Sequence, residues 1–347
     1  MNELIQSKTT KKRQFNLRNF LFSYGFMIVM IIVIIYFSIA ANNFFSITTL
    51  FTVLHTAAPL FVIACGIGLV IMTGKIDISV GSTVYLSTVI GSILVVRLKV
   101  SDPVAILAIL VIGMLLGAIN GFLIVVLRVN PLITTLGTQW AYRGIGLQLT
   151  NSNVISLPTD LRYLGNSRIG PIYIDIIFSI LVLVIMYLVH TRTPFGRQVM
   201  AYGNGVDTSE RLGVKVNWIS FLTFVFSGFL ASLGGILLML QIGAVTPTTG
   251  TGYEFSAIAM LVIGGVSLFG GEGSILPGII IGGITLTVIE AGLNYIGASI
   301  YVYPFVRGGI IFIAMFADSL KIRVKQQVKI MTEVETTTPR GKVQTPV

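Results

Sequence analysis

Ionisable side chains are scarce in this chain. Asp, Glu, Lys and Arg make up 10% of 347 residues, well under the ~25% of an average soluble domain, while hydrophobic residues reach 54% and mean hydropathy is +0.91. A water-soluble fold of that composition would expose too much apolar surface to stay dispersed. Histidine occurs only as His55 and His190, at opposite predicted membrane faces, so no histidine-based zinc or iron site can form. The lone Cys65 lies in an apolar run, which excludes a disulfide framework and a thiolate metal site and leaves a small packing residue. No G-x-S-x-G elbow is present, and no Gly-rich loop ends in Gly-Lys-Ser or Gly-Lys-Thr. Gly270-Gly271-Glu272-Gly273 lacks the lysine of a phosphate loop. The chain thus has no motif with which to bind and split ATP, and too few reacting groups for a membrane enzyme. Among ionisable groups inside apolar runs, the material of proton relays, Glu290 and Arg307 are the clearest candidates, with Asp175 and Glu254 near span ends. So sparse a set reads as groups satisfying their neighbours.

Long uncharged runs are abundant. Leu21 to Ala41 carries no charge, and at ~1.5 Å per residue about twenty such residues cross a hydrocarbon core of ~30 Å. The run is longer than the ~7–15 residues of a signal-peptide core, so it is expected to be an uncleaved first span. The expected fold is an all-α integral membrane protein of about ten transmembrane helices. The spans are 20–41, 54–73, 79–96, 103–127, 132–150, 171–189, 217–241, 255–270, 275–297 and 300–317. They divide the chain into a cytoplasmic segment at 1–19, a transmembrane domain at 20–320, and a polar tail at 321–347 that is expected to be disordered.

The net charge of +10 reads as a topology signal, because the basic residues do not form the single patch with interleaved aromatics that nucleic acid requires. With both termini in the cytoplasm, 17 of the 23 Lys and Arg fall on inner segments and only Arg97, Lys99, Arg162 and Arg168 on outer loops, with Arg143 and Arg307 left inside spans. Gly113, Gly117 and Gly121 recur at four-residue spacing, as do Gly278 and Gly282, which puts them on one helix face for close packing. A weak internal echo links Gly74–Gly81 with Gly271–Gly278, each joining two apolar runs.

The longest inner loop is Thr191–Asn217. Within it Asp207 and Glu210 form a D-x-x-E variant of the capping box, Leu212 supplies an apolar side chain and Gly213 suits a left-handed helix end. A short amphipathic helix from Asp207 to Gly213, carrying Arg211, is therefore expected on the cytoplasmic side, where a moving partner could grip it.

Four ordered segments carry a family resemblance. Thr193-Pro-Phe195-Gly196-Arg197, with Ala201, Gly203 and Asn204, then Arg211-Leu-Gly-Val-Lys-Val, resembles the coupling loop of sugar-type ABC importer permeases. Thr73 to Ser82, with Asp77, Ser79 and Gly81, resembles their I-D-L-S-V-G-S segment; Asn120-Gly121 through Asn130-Pro-Leu-Ile-Thr-Thr-Leu-Gly-Thr138 resembles another. The last runs from Gly250-Thr-Gly-Tyr-Glu254 through Gly264 and Gly265 to Gly270 and Gly271. The segments cover most of residues 54–320 in the family's order, and the ribose, galactose and autoinducer-2 permeases are similar in length and in about ten spans. The loop departs from the family's N-x-x-A-A-x-x-x-G pattern at Gly205–Gly213, which bears on the identity of the ATPase partner.

The resemblance implies a multi-pass subunit of the bacterial inner membrane with the ABC importer permease fold, paired with a second permease subunit as homodimer or heterodimer. It also implies cytoplasmic ABC ATPase subunits that use ATP and Mg, an extracytoplasmic solute-binding protein, no cofactor or metal on this chain, and a coupling role for 191–217. The binding protein is expected to dock on outer loops 42–53, 151–170 and 242–253. The cargo is expected to be a monosaccharide or similar polyhydroxy solute, with autoinducer-2 or a nucleoside as the rival within the class and an ion-coupled secondary carrier as the rival class. A path through hydrocarbon needs weak, replaceable hydrogen bonds, and Asn120, Thr134, Thr135, Thr138, Gln139, Asn294 and Tyr295 are the polar side chains positioned to supply them.

Overall fold

Uncharged runs of Leu, Ile and Val become long helices because a helix satisfies its own backbone groups wherever water is absent. The computed structural model describes residues 28, 31–32, 34–39, 44, 46–299, 301–313 and 315–316. Among the described residues, beyond the helical stretch 34–39, there are twelve helices in chain order: α1 (Ile47–Met72), α2 (Val80–Val96), α3 (Asp102–Val125), α4 (Pro131–Thr150), α5 (Thr159–Gly165), α6 (Ile174–Arg192), α7 (Pro194–Asn204), α8 (Val206–Arg211), α9 (Val216–Ile242), α10 (Tyr253–Ile263), α11 (Ile275–Tyr295) and α12 (Val302–Ile313). Four two-residue strands form two antiparallel pairs: β1 (Ile155–Ser156) with β4 (Ala244–Val245), and β2 (Arg168–Ile169) with β3 (Ile172–Tyr173). α1, α3, α6, α9 and α11 are long and apolar enough to cross a membrane.

α1 begins where Ser46, in extended backbone, accepts a hydrogen bond from the Thr49 N–H at 3.0 Å. Every residue from Ala57 to Met72 is buried, so this helix is apolar on all sides and forms the centre of the bundle. α9, α10, α11 and α6 pack around it. α4 starts at an Asn-Pro signature, with the Asn130 side chain accepting from Leu132 N–H at 2.9 Å and Pro131 in the first turn. α3, α4 and α6 turn Leu115, Leu132, Trp140 and Leu181 outward, the surface expected to face lipid.

Glycine seams close the bundle. Gly117 of α3 faces Phe224 and Gly228 of α9, and a methyl group on Gly117 would overlap the Phe224 carbonyl. Gly282 of α11 meets α10 in the same way, where a methyl group would overlap the Met260 carbonyl. The four-residue glycine spacings are thus packing faces. Cys65 is buried in the core, as expected of a packing residue.

Some expectations change. The run 255–270 is not one continuous helix: α10 ends at Ile263 after ~16 Å, and residues 264–274 form a loop. The composition there is apolar, but Gly265, Gly270, Gly271 and Gly273 all hold positive φ, between 69° and 102°, which no helix accommodates. The span expected at 20–41 lies mostly outside the described residues, and residues 34–39 within it are helical. The segments 1–19 and 321–347 also lie outside them.

Candidate functional site

The motif residues converge on two places. The first is a buried polar hub where α1, α2, α3 and α9 meet. Asp77 (2% exposed) accepts from Ser79 N–H at 3.1 Å, Ser79 Oγ at 2.7 Å and, through its other oxygen, Ser227 Oγ at 2.9 Å. Asn120 completes the chain by donating to Ser79 Oγ at 2.7 Å. A carboxylate that only accepts suits three donors so placed. The I-D-x-S segment therefore ends the break between α1 and α2 with a network that ties both to α3 and α9.

Gly81, the second residue of α2, lies against Glu254 and the Gly250 carbonyl, leaving no room for a side chain. Glu254 accepts from the Gln139 amide at 3.2 Å, and Arg143 donates to the carbonyls of Thr249 at 2.7 Å and Pro247 at 3.2 Å. The resemblance pointed to Gly81 and Glu254 but not to Arg143. The signal for Arg143 was a cation inside a predicted span, and its partners come from a loop a hundred residues away.

The second place is the bundle end that carries α7 and α8. The loop 191–217 holds two helices where one short helix was expected. Thr193 caps α7 by accepting from Gly196 N–H at 3.3 Å, with Pro194 in its first turn. Asp207 does not cap α8: Gly205 takes that position, no side chain caps the helix, and Asp207 sits in its first turn. Gly213 has φ +81°, the left-handed conformation expected of it. Of the nine residues assigned to coupling, Phe195 and Gly196 turn inward, Phe195 packing on Phe226 with ring centres 5.3 Å apart. Arg197, Asn204, Asp207, Glu210, Arg211, Leu212 and Gly213 are exposed, with Leu212 at 76%.

At this end α7 rests on the tip of α1 and on the glycine loop. Gly271 N–H donates to the Met72 carbonyl at 3.0 Å, and Gly203 sits against both residues too tightly for a side chain. Gly270, the residue before the second segment of the internal echo, lies against Gly74, the first residue of the other. Lys75 donates to the Tyr202 hydroxyl and lies 4.2 Å from the Tyr202 ring centre. Burial pulls its pKa from 10.5 down to about 8.

The seven expected path residues divide into two groups. Asn120 serves the hub, and Thr135 Oγ donates to the Ile76 carbonyl at 3.3 Å beside it. Thr134 and Thr138 bond carbonyls within α4 and its cap, and Gln139 bonds Glu254. Asn294 and Tyr295 stand apart from these, lining a cavity between α1, α10, α11 and α12 that also holds an ion pair, Arg307 Nε to Glu290 Oε1 at 2.7 Å. Asp175 pairs with His55 Nδ1 at 2.7 Å, while the His55 ring stacks on Tyr173 at 3.8 Å.

Residues 49–315 match the family described as "Branched-chain amino acid transport system / permease component". The ribose import permease protein of Escherichia coli strain K12 is 32% identical over 326 residues, covering 91% of this chain and all of the relative. The chain belongs to this permease family. The D-allose transport system permease protein of the same strain is 33% identical, over 91% of this chain and 97% of the relative. The autoinducer 2 import system permease protein of Photorhabdus luminescens is 34% identical, over 81% and 85%. No solved structure gives a significant match. The permease is therefore the translocation component of an ABC importer, a multi-pass protein of the bacterial inner membrane and not itself the catalytic subunit. Both the hub and the α7–α8 segment lie inside the matched region.

Proposed function

We propose that this permease moves a monosaccharide or similar small polyhydroxy solute inward across the bacterial inner membrane. The solute is handed over by an extracytoplasmic binding protein, and the motion is driven by cytoplasmic ABC ATPase subunits that hydrolyse ATP with Mg. The observation that carries the cargo class is near end-to-end similarity to permeases named for ribose and D-allose import. The match to permeases named for autoinducer-2 import supports that molecule as the alternative cargo.

The chain works as one of a pair of permease subunits and crosses the bilayer ten times, with α10 and the loop after it together making one of the crossings. An even number returns the C-terminus to the cytoplasmic side, in keeping with the basic residues of both terminal segments. α7, α8, Lys75 and the loop 264–274 then share the cytoplasmic end, while β1 and β4 close the outer one.

α8 is the handle. Its exposed Asp207, Glu210, Arg211 and Leu212 give an ATPase a mixed charged and apolar ledge, and α7 passes displacement to the tips of α1 and the glycine loop. Cysteines placed at Asp207 and Leu212 are expected to cross-link to the ATPase subunit in membranes, and one placed at Trp140 on α4 is not. Cross-linking absent from both loop positions would remove the coupling role.

A further inference from the structure

The cavity between α1, α10, α11 and α12 is polar where membrane protein is usually apolar. Its volume is about 260 Å³, close to the lower end of the ~300–1,000 Å³ typical of small-molecule sites. Its lining descends α1 from Thr49 to Leu60, roughly 16 Å along the helix axis and about half of a ~30 Å hydrocarbon core. Two facing helices present polar side chains at i, i+3 and i+7: Thr49, Thr52 and Thr56 on α1, and Thr287, Glu290 and Asn294 on α11. Such a register lays one polar stripe down each helix.

The threonines of these stripes bond within the protein, Thr52, Thr56 and Thr287 to carbonyls one turn back, but other groups lining the cavity keep capacity unused among the described residues. The Arg307–Glu290 contact joins one guanidinium nitrogen to one carboxylate oxygen, leaving the other Arg307 N–H groups and Glu290 Oε2 without partners among the described residues. The side chains of Asn294, Tyr253 and Tyr303 likewise make no hydrogen bond among those residues. Asn294 is exposed and the Arg307 and Glu290 side chains are 25% and 23% exposed, so these groups face an opening and are free to bond a polar solute that enters it. The charges constrain what that is: Glu290 repels an anion, Arg307 repels a cation, and together they offer an acceptor beside a donor. Adjacent hydroxyls on a neutral ring use both at once, while tyrosine rings cover its C–H faces.

We infer that this cavity is a binding site for a neutral polyhydroxy solute, held between Glu290 and Arg307 on one side and Asn294, Tyr253 and Tyr303 on the others. The assignment rests on the proposed import of such solutes and names where one is held within the membrane domain. A single polar ion pair with two aromatic hydroxyls gives weak binding, which suits a site that must release its occupant.

The test uses the complete transporter, with its ATPase and binding protein, and radiolabelled D-ribose and D-allose as probes. Asn294→Leu and Tyr303→Phe remove groups that bond nothing among the described residues, so their membrane levels should match the parent. Sugar moved per ATP hydrolysed is expected to fall at least fivefold in each, with partial recovery in Asn294→Gln. Saturation-transfer NMR on the nanodisc-embedded complex without binding protein should detect ribose, but neither ribose 5-phosphate nor glucosamine, and Asn294→Leu should abolish the ribose signal. Parental uptake with unchanged transport in both variants overturns the site and leaves the import reading standing. Equal NMR signals from the charged sugars overturn the neutral class. Failure of the parent to move either sugar overturns the import reading and the site with it.

Discussion

Removing the Ser227 hydroxyl should loosen the whole bundle. Ser227 is fully buried on α9 and is the sole hydrogen-bond partner of Asp77 Oδ2 among the described residues, at 2.9 Å. Ser227→Ala leaves that carboxylate oxygen buried and unpaired, a loss of ~1.5–3 kcal/mol for a hydrogen bond to a charged group. At 1.4 kcal/mol per factor of ten, the folded fraction relative to unfolded drops roughly 10- to 150-fold. Asp77→Asn makes these bonds neutral and about half as strong, so Ser227→Ala on that background should cost only ~0.5–1.5 kcal/mol. The double-mutant cycle then gives a coupling of ~1 kcal/mol or more. Ser232→Ala is the control: among the described residues its hydroxyl bonds only the Phe229 carbonyl in its own helix, at 2.8 Å, and its loss should cost under ~1 kcal/mol. Equilibrium unfolding of the purified permease in mixed micelles, followed by circular dichroism, measures all four. Equal costs on the two backgrounds would refute the hub as the tie between α1, α2, α3 and α9.

Other outcomes follow from the same geometry. Gly228→Ala should destabilise by ~1–3 kcal/mol because the methyl group overlaps the Gly113 carbonyl, whereas Gly137→Ala on α4 meets open space and should lower stability not at all; thermal melts of the two variants check this. Gly213→Val meets no neighbour, so it strains only a φ of +81°, by ~1–2 kcal/mol. That variant and Glu210→Lys should keep normal membrane levels while uptake falls steeply, and normal uptake by both would remove α8 from the coupling route. Lys75 should lose its proton near pH 8. Because the unfolded chain keeps that proton until about 10.5, stability rises with pH between the two values, and Lys75→Met removes that slope. Amine labelling across pH reads the midpoint directly.

The spans were legible because run length alone identifies them: α1, α3, α6, α9 and α11 follow the uncharged stretches to within a few residues at most boundaries. The glycine faces were legible too, since four-residue spacing has one geometric meaning on a helix. Residues 264–274 were not, because hydropathy counts Val266, Leu268 and Phe269 and is blind to glycines that hold positive φ. The α8 cap was misread for a related reason: Asp207 looks like a cap, but Gly205 turns the chain two residues earlier. The pairings of Arg143, Asp175, Glu254 and Glu290 depend on partners distant in sequence, so a single chain shows that such groups are unusual without showing whom they meet. Threonines on α4 looked like path residues, yet a helical threonine bonds the carbonyl a turn back, as Thr134 and Thr138 do.

One measurement bears on the central claim, that this bundle is a gate driven by a separate motor. The purified permease is placed in liposomes with and without its ATPase subunits, and labelled ribose and its binding protein are supplied outside. Uptake that requires the ATPase and internal ATP, and stops with Glu210→Lys, is the predicted result. Ribose entry through the permease alone, driven by a proton or sodium gradient, would contradict it.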